Sequence, residues 1–200
     1  MAPGQHFIIS WVLANSMALD RRSRIGITAA GVIPDLDGLG IVVDKLGPYF
    51  GYTTHLYQEY HHILGHNLFA GILMAAVIGA ICKRRIAVFL LTLLVFHAHL
   101  FCDVAGSQGP DGYQWPIPYL YPLVPELQLA WSGQWELSSP VNSVIGALFF
   151  LVALVIARYR HVTFFELFSR RVEAVVYDAG VKRGFFTVKT ARTSEDGDEP

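Results

Sequence analysis

Charge is scarce in this sequence. Asp, Glu, Lys and Arg make up 16% of the 200 residues, against 53% hydrophobic residues and a mean hydropathy of +0.41. Soluble domains carry about 25% charged residues. So low a share points first to a membrane protein, and second to a soluble helical bundle with an unusually apolar core. The net charge is −1, which gives no electrostatic reason to expect a nucleic-acid partner. Cysteine is nearly absent. Cys82 and Cys102 are the two present, and neither sits in a CxxC spacing, so a disulfide scaffold and a zinc finger are both excluded. The first ten residues, MAPGQHFIIS, lack a basic stretch ahead of an apolar one, so no cleaved signal peptide is expected. No internal repeat is present.

What the chain does have is apolar length. Residues 67–82 (NLFAGILMAAVIGAIC), 86–102 (IAVFLLTLLVFHAHLFC) and 141–157 (VNSVIGALFFLVALVIA) are long apolar runs. Each is near the lower limit of a spanning helix, roughly 17 residues. Residues 7–19 and 25–43 are weaker. The first is short and the second contains Asp35 and Asp37, so either alone reads as a buried or re-entrant segment. Basic clusters punctuate the series: DRRSR at 20–24, KRR at 83–85 and RYR at 158–160. The positive-inside rule places all three in the cytoplasm. Five spans with the N-terminus outside satisfy them together. The expected fold is therefore all-α, a polytopic membrane helical bundle of about five apolar helices.

In that topology the outer side receives residues 1–6, 34–59 and a loop at 106–140. The loop is rich in Pro, Gly and aromatics and holds Trp115, Trp131 and Trp135, residues that favour the membrane–water interface. After Arg160, the residues Phe164, Phe168, Val172, Val175 and Val176 recur at helical spacing beside Arg170 and Arg171. They predict an amphipathic cytoplasmic helix. The end, TARTSEDGDEP, is polar and acidic and reads as disordered. The organisation expected is a membrane-embedded domain at 1–160, an amphipathic segment at 161–190 and an acidic tail at 191–200.

The stretch EYHHILGHNLF at 59–69 sets three imidazoles at the mouth of an apolar segment. Other candidate ligands fall at the same level: His6, then Asp35 and Asp37 in VIPDLDGLG, His55 and Glu59, His61, His62 and His66, and His99 with Asp103. The topology used only Lys and Arg, yet these His and Asp residues gather on its outer side. Divalent metals such as zinc take imidazole nitrogen and carboxylate oxygen from several elements at once. His99 and Asp103, spaced i,i+4, share a helix face, while His97 points elsewhere and reads as a packing residue. Helical spacing pairs His62 with His66; His61 pairs with His66 only if a helix begins after His61. Pro34 would break the helix and turn Asp35 and Asp37 into a cavity. Plainer readings stand beside each. A lone His6 or His55 is most often simply hydrogen-bonded, Asp35 and Asp37 could form a turn with Gly38, and His99 with Asp103 could be a buried pair. His161 lies at the opposite end, away from any such cluster.

With these residues in view, the chain resembles the bacterial inner-membrane metal-dependent hydrolase family (YdjM-like). The resemblance rests on an ordered set: His6, AGVIPDLDGL, HHILGHNL, HLFCD and GPDGYQWP. It covers about residues 1–116. HHILGHN departs from the family's pattern, with His62 in place of an arginine and Asn67 in place of a serine. The resemblance implies one or two divalent ions, zinc first and manganese or iron next, held by His6, Asp35, Asp37, His61, His66, His99 and Asp103. It implies Asp35 or Asp37 as general base and His62 beside an anionic substrate. The family also looks distantly similar to zinc-dependent phospholipase C, which implies a phosphoester or lipid-like substrate, with membrane lipids as partners. A non-catalytic scaffold or regulator with a structural metal is the alternative, and a transporter ranks below both.

Overall fold

In this computed structural model, residues 1–188 are described. They divide into two compact units, Met1–Phe150 and a second beginning at Leu151. The acidic tail expected at 191–200 lies outside the described residues.

The first unit is mostly helical. Helix α1 (Pro3–Ala14) opens with Pro3 in its first turn, where the missing N–H costs nothing. Helix α2 (Arg21–Ala30) is capped by Asp20, whose carboxylate accepts from the Ser23 amide at 3.1 Å and the Ser23 hydroxyl at 2.7 Å. A 45° bend follows. A 3₁₀ turn covers Ile33–Leu39, with Pro34 in its first turn, and α3 (Gly40–Leu46) continues from it. Proline restricts the residue before it and cannot donate, so the α-helix stops here. A second 3₁₀ turn, Gly47–Phe50, and the short α4 (Leu56–Tyr60) lead to α5 (Leu68–Ala80) and α6 (Arg85–Gly106).

Helix α6 packs against α1, α2 and α5. One core cluster joins Ala14, Leu19, Ile27, Ala30, Ile78, Cys82, Val88, Leu91 and Val95. Gly71 lets α5 close on α6, since a Cβ there would lie 2.5 Å from the Phe96 ring. The other side of α6 presents Ile86, Leu90, Leu94 and Phe101, each more than half exposed. Such a stripe suits contact with lipid rather than water.

Among the described residues, two helices are long and apolar enough to cross a membrane, α6 and α7 (Pro140–Arg160). The bent pair Arg21–Ala30 and Ile33–Phe50 makes a third candidate if it counts as one span. About five spans were expected. Helices α1 and α5, at 12 and 13 residues, reach only about 18–20 Å at 1.5 Å per residue, short of a hydrocarbon core of about 30 Å.

The loop at 106–140 departs from the all-α expectation. It contains an antiparallel hairpin of β1 (Ile117–Leu120) and β2 (Val124–Leu129). Its flanks are tied to the end of α6. The Trp135 amide donates to Ala105 O at 3.0 Å, Gln134 Nε2 to Asp103 O at 2.8 Å, and Asn142 Nδ2 to Gly106 O at 2.9 Å. These bonds satisfy carbonyls that a helix terminus leaves without partners, and they close one end of the site described next.

The second unit holds the last turns of α7, a 3₁₀ turn at Phe164–Leu167 and α8 (Arg170–Lys182), capped by the Ser169 hydroxyl. The amphipathic helix predicted for this region is α8.

Candidate metal centre

The site is assembled from α1, the 3₁₀ turn after α2, the turn before α5, and α6. His99 and Asp103 lie one turn apart on α6, with His99 Nε2 3.0 Å from Asp103 Oδ2. Pro34 stops α2 and delivers Asp35 and Asp37. The HHILGHN stretch is not helical. Residues 61–67 form a turn, and Asn67 caps α5 by accepting from the Ala70 amide at 2.9 Å. Helical spacing therefore explains neither His61–His66 nor His62–His66, because the helix starts after all three histidines. Gly65 explains the turn's close approach: a Cβ would lie 2.5 Å from the Pro34 carbonyl oxygen. The Gly65 amide instead donates to Asp37 Oδ2 at 3.0 Å.

Asp37 organises the histidines. It accepts from His61 Nδ1 at 2.9 Å and from His66 Nδ1 at 3.0 Å. His99 Nδ1 donates to the Gly31 carbonyl at 3.0 Å. Both acceptors fix their ring's tautomer, so His66 and His99 turn their Nε2 atoms inward, 3.1 Å apart. Around them stand Asp35 Oδ1, at 3.8 and 3.7 Å, and Asp103 Oδ2, at 3.7 and 3.0 Å. Four ligands on a tetrahedral ion with bonds of about 2.0–2.1 Å lie about 3.3 Å apart. The measured separations bracket that value.

Two neutral imidazoles cannot face each other through lone pairs without something positive between them. In the metal-free protein a proton serves. Burial opposes charge on His66, but the Asp103 and Asp37 carboxylates outweigh it and push the ring up to about 9. Asp103 Oδ2 and Asp35 Oδ2 are buried without a hydrogen-bond partner, although His99 Nε2 is near the former. Close donor atoms that are not aligned as hydrogen bonds fit a cation in their midst. The donor set of two imidazoles and two carboxylates suits zinc, and manganese or iron after it.

Among the described residues, two overlapping groups bring one donor per residue within 4.8 Å of one another: His6, Asp35, His99 and Asp103, and His62, His66 and Asp103. In the first, His6 Nε2 lies 3.0 Å from both Asp103 Oδ1 and the Met1 carbonyl, bracing Asp103 from its other oxygen. The Met1 amine reaches the same oxygen. Asp37 and His61 stand outside both groups.

His62 occupies the left-handed backbone region, with φ 68°, a conformation that L residues adopt at a cost and that concentrates at functional sites. The residue is 2% exposed, and its ring lies tilted against His66, centroids 4.4 Å apart. Burial and then the charge on His66 hold it well below the ordinary histidine range. The resemblance implies His62 beside an anionic substrate; in the structure its ring lies against His66, and its Nδ1 is buried without a hydrogen-bond partner.

His97 stays away from the centre, donating to Leu93 O at 2.7 Å and meeting the Tyr119 hydroxyl at 2.8 Å. His161 belongs to the second unit. A cavity of about 990 Å³ opens onto the centre, lined among others by Asp35, Tyr57, His61, His62, Asp103 and Trp115. The sequence offered no sign of Tyr57, which stacks 4.5 Å from His61, or of the Gly31 carbonyl, since a backbone anchor leaves no side-chain signature.

A helical protein with membrane-length apolar helices and a buried histidine–aspartate centre is the class these features define. A family model described as YdjM inner membrane protein matches residues 1–171, and the chain belongs to that family. The matched residues include every His and Asp of the centre. Comparisons with curated proteins and with solved structures give no match.

Proposed function

We propose that this chain is a metal-dependent hydrolase of the inner membrane, acting on a phosphoester or lipid-like substrate at the outer face. The observation that carries the reading is the pair of inward Nε2 atoms on His66 and His99, 3.1 Å apart, each with its Nδ1 anchored. Asp35, His66, His99 and Asp103 would hold the ion, with His6 and His62 at its flanks. Asp37 and His61 position His66. The chemistry that a divalent ion held there would supply is to polarise a phosphoryl or acyl oxygen and to acidify water. Asp35 lines the cavity and keeps one oxygen without a partner, so it serves as the proton acceptor. His62, buried and neutral, is the second group able to take a proton. The cavity admits substrate, and Trp115 and Tyr57 give it an aromatic wall for an amphiphile. The outward placement is supported by the three basic clusters on the opposite side of the sequence-derived topology.

A structural metal in a non-catalytic scaffold is the second reading, favoured by four protein donors that can complete a tetrahedral shell. The deciding experiment has two stages. Elemental analysis of detergent-purified protein compares wild type with an Asp35→Ala/His99→Ala variant, and stoichiometric metal is expected in the wild type alone. Metal-replete protein is then assayed on phospholipids and phosphomonoesters. Metal without turnover on any of them supports the scaffold, and no metal in either protein sinks both readings.

A further inference from the structure

Helix α8 has two faces that differ in use. Glu173, Tyr177 and Gly180, spaced i, i+4 and i+7, face the rest of their own unit. The Glu173 carboxylate accepts from the Thr163 amide at 2.7 Å and from its hydroxyl. Tyr177 is buried and stacks on Phe186 at 5.0 Å and 7°. Gly180 lies against the same ring, where a Cβ would come within 2.1 Å. The opposite face carries Val172, Val175, Val176 and Ala179. Val175 is 70% exposed and Val172 44%, and Phe168, just before the helix, is 71% exposed. The helix thus packs on its polar and aromatic side and leaves Val172 and Val175 outward, with Val176 half-buried at the edge of that face.

Charge and position say what covers them. Residues 158–188 hold six basic side chains against three acidic ones. Of the acids, Glu166 is buried and Glu173 is held by Thr163. The basic residues Arg171, Lys182 and Arg183 flank the valine face, and Arg158 and Arg160 end the apolar α7. The unit is fastened to that helix end. The Arg158 guanidinium donates to Phe185 O and the Thr187 hydroxyl to Arg158 O, both at 3.1 Å. His161 Nδ1 donates to the Tyr177 hydroxyl at 2.7 Å, which donates to Thr187 O at 2.9 Å. Helix α8 is therefore held where a spanning α7 leaves the bilayer.

We propose that the Val172–Val175–Val176–Ala179 face of α8 lies in the anionic lipid surface on the basic side of the membrane. Apolar side chains enter the headgroup boundary while flanking Lys and Arg meet lipid phosphates. The contact stands independently of the metal centre.

The test uses the full chain with Cys82 and Cys102 replaced by alanine. Spin labels are placed singly through Val172→Cys, Val175→Cys and Asp178→Cys. The protein is reconstituted in lipid discs with phosphatidylglycerol, or with phosphatidylcholine alone. The expected result is an oxygen-to-nickel-chelate accessibility ratio severalfold higher at 172 and 175 than at 178. That contrast should shrink in the neutral discs and with Arg170→Gln/Arg171→Gln. Equal ratios at all three positions in both lipids would overturn the proposal. So would spin–spin broadening at 175 that vanishes on dilution with unlabelled protein, which would assign the face to a second copy. The labels sit on the outward side of α8, so the packed face is undisturbed.

Discussion

Asp37 shows how one carboxylate can govern a centre without belonging to its ligand groups. It accepts from His61, His66 and the Gly65 amide. An Asp37→Asn amide would turn N–H groups toward a ring that must also donate. Orienting partners of this kind are worth about 10–100-fold in metal affinity, and that loss is expected in a competitive metal titration. His97→Ala, by contrast, should leave metal content unchanged. His66 gives a pH dependence. Its folded value, about 9, exceeds its ordinary 6.5, so charge on the ring stabilises the metal-free fold. That contribution is fully present below about 6.5 and is lost as pH rises through about 9. Metal must displace the same proton. The Tm of chelator-treated protein should therefore fall between pH 6.5 and 9. Apparent metal affinity should climb over that window by up to about tenfold per pH unit, one proton being released. Parallel behaviour of the two would remove His66 from the site.

Among the elements, the turn at 61–67 decides whether a site exists. Gly65→Ala drives a Cβ to 2.5 Å from a backbone oxygen of the Pro34 turn, and neither segment can give way without displacing Asp37. Overpacking of this sort costs about 1–3 kcal/mol. A lowered Tm together with lost metal is expected, whereas Asn67→Ala, which removes the α5 cap and the side-chain bonds to Ile63 O and Leu64 O but no bond to Asp37, should cost about 1–3 kcal/mol and keep the metal. Helices α5, α6 and α7 were legible because a long apolar run states its own fate. The hairpin was not. Its strands are short, contain Pro118 and Pro125 and pair only with each other, so no alternating pattern announced them. The turn was misread because His62 and His66 happen to match helical spacing, while the local chain is set by Gly65, the left-handed His62 and the Asn67 cap.

For the whole molecule, the arrangement of basic clusters makes a topological prediction. Single cysteines at Lys83 and Tyr159 should react with impermeant reagents only from the cytoplasmic side of sealed vesicles, and one at Asp111, on the cavity rim, only from outside. Reversed or mixed labelling would separate the metal centre from the outer face and defeat the proposed access of substrate. The apolar helices α1 and α5 are too short to cross a bilayer of ordinary thickness straight through, and both pack beside α6.

The sequence by itself determined the apolar helices, the basic clusters and the residue types of the centre, because hydrophobic length, charge and the i,i+4 pair of His99 and Asp103 are local properties. Membership of the inner-membrane family follows from the ordered motifs. Only the tertiary structure decided which atoms converge. The Gly31 carbonyl and Asp37 aim two rings from different elements at one point, and that aim depends on backbone positions far apart in the chain. It also separated the surroundings of His61 and His62, since His61 bonds to Asp37 while His62 is buried against His66.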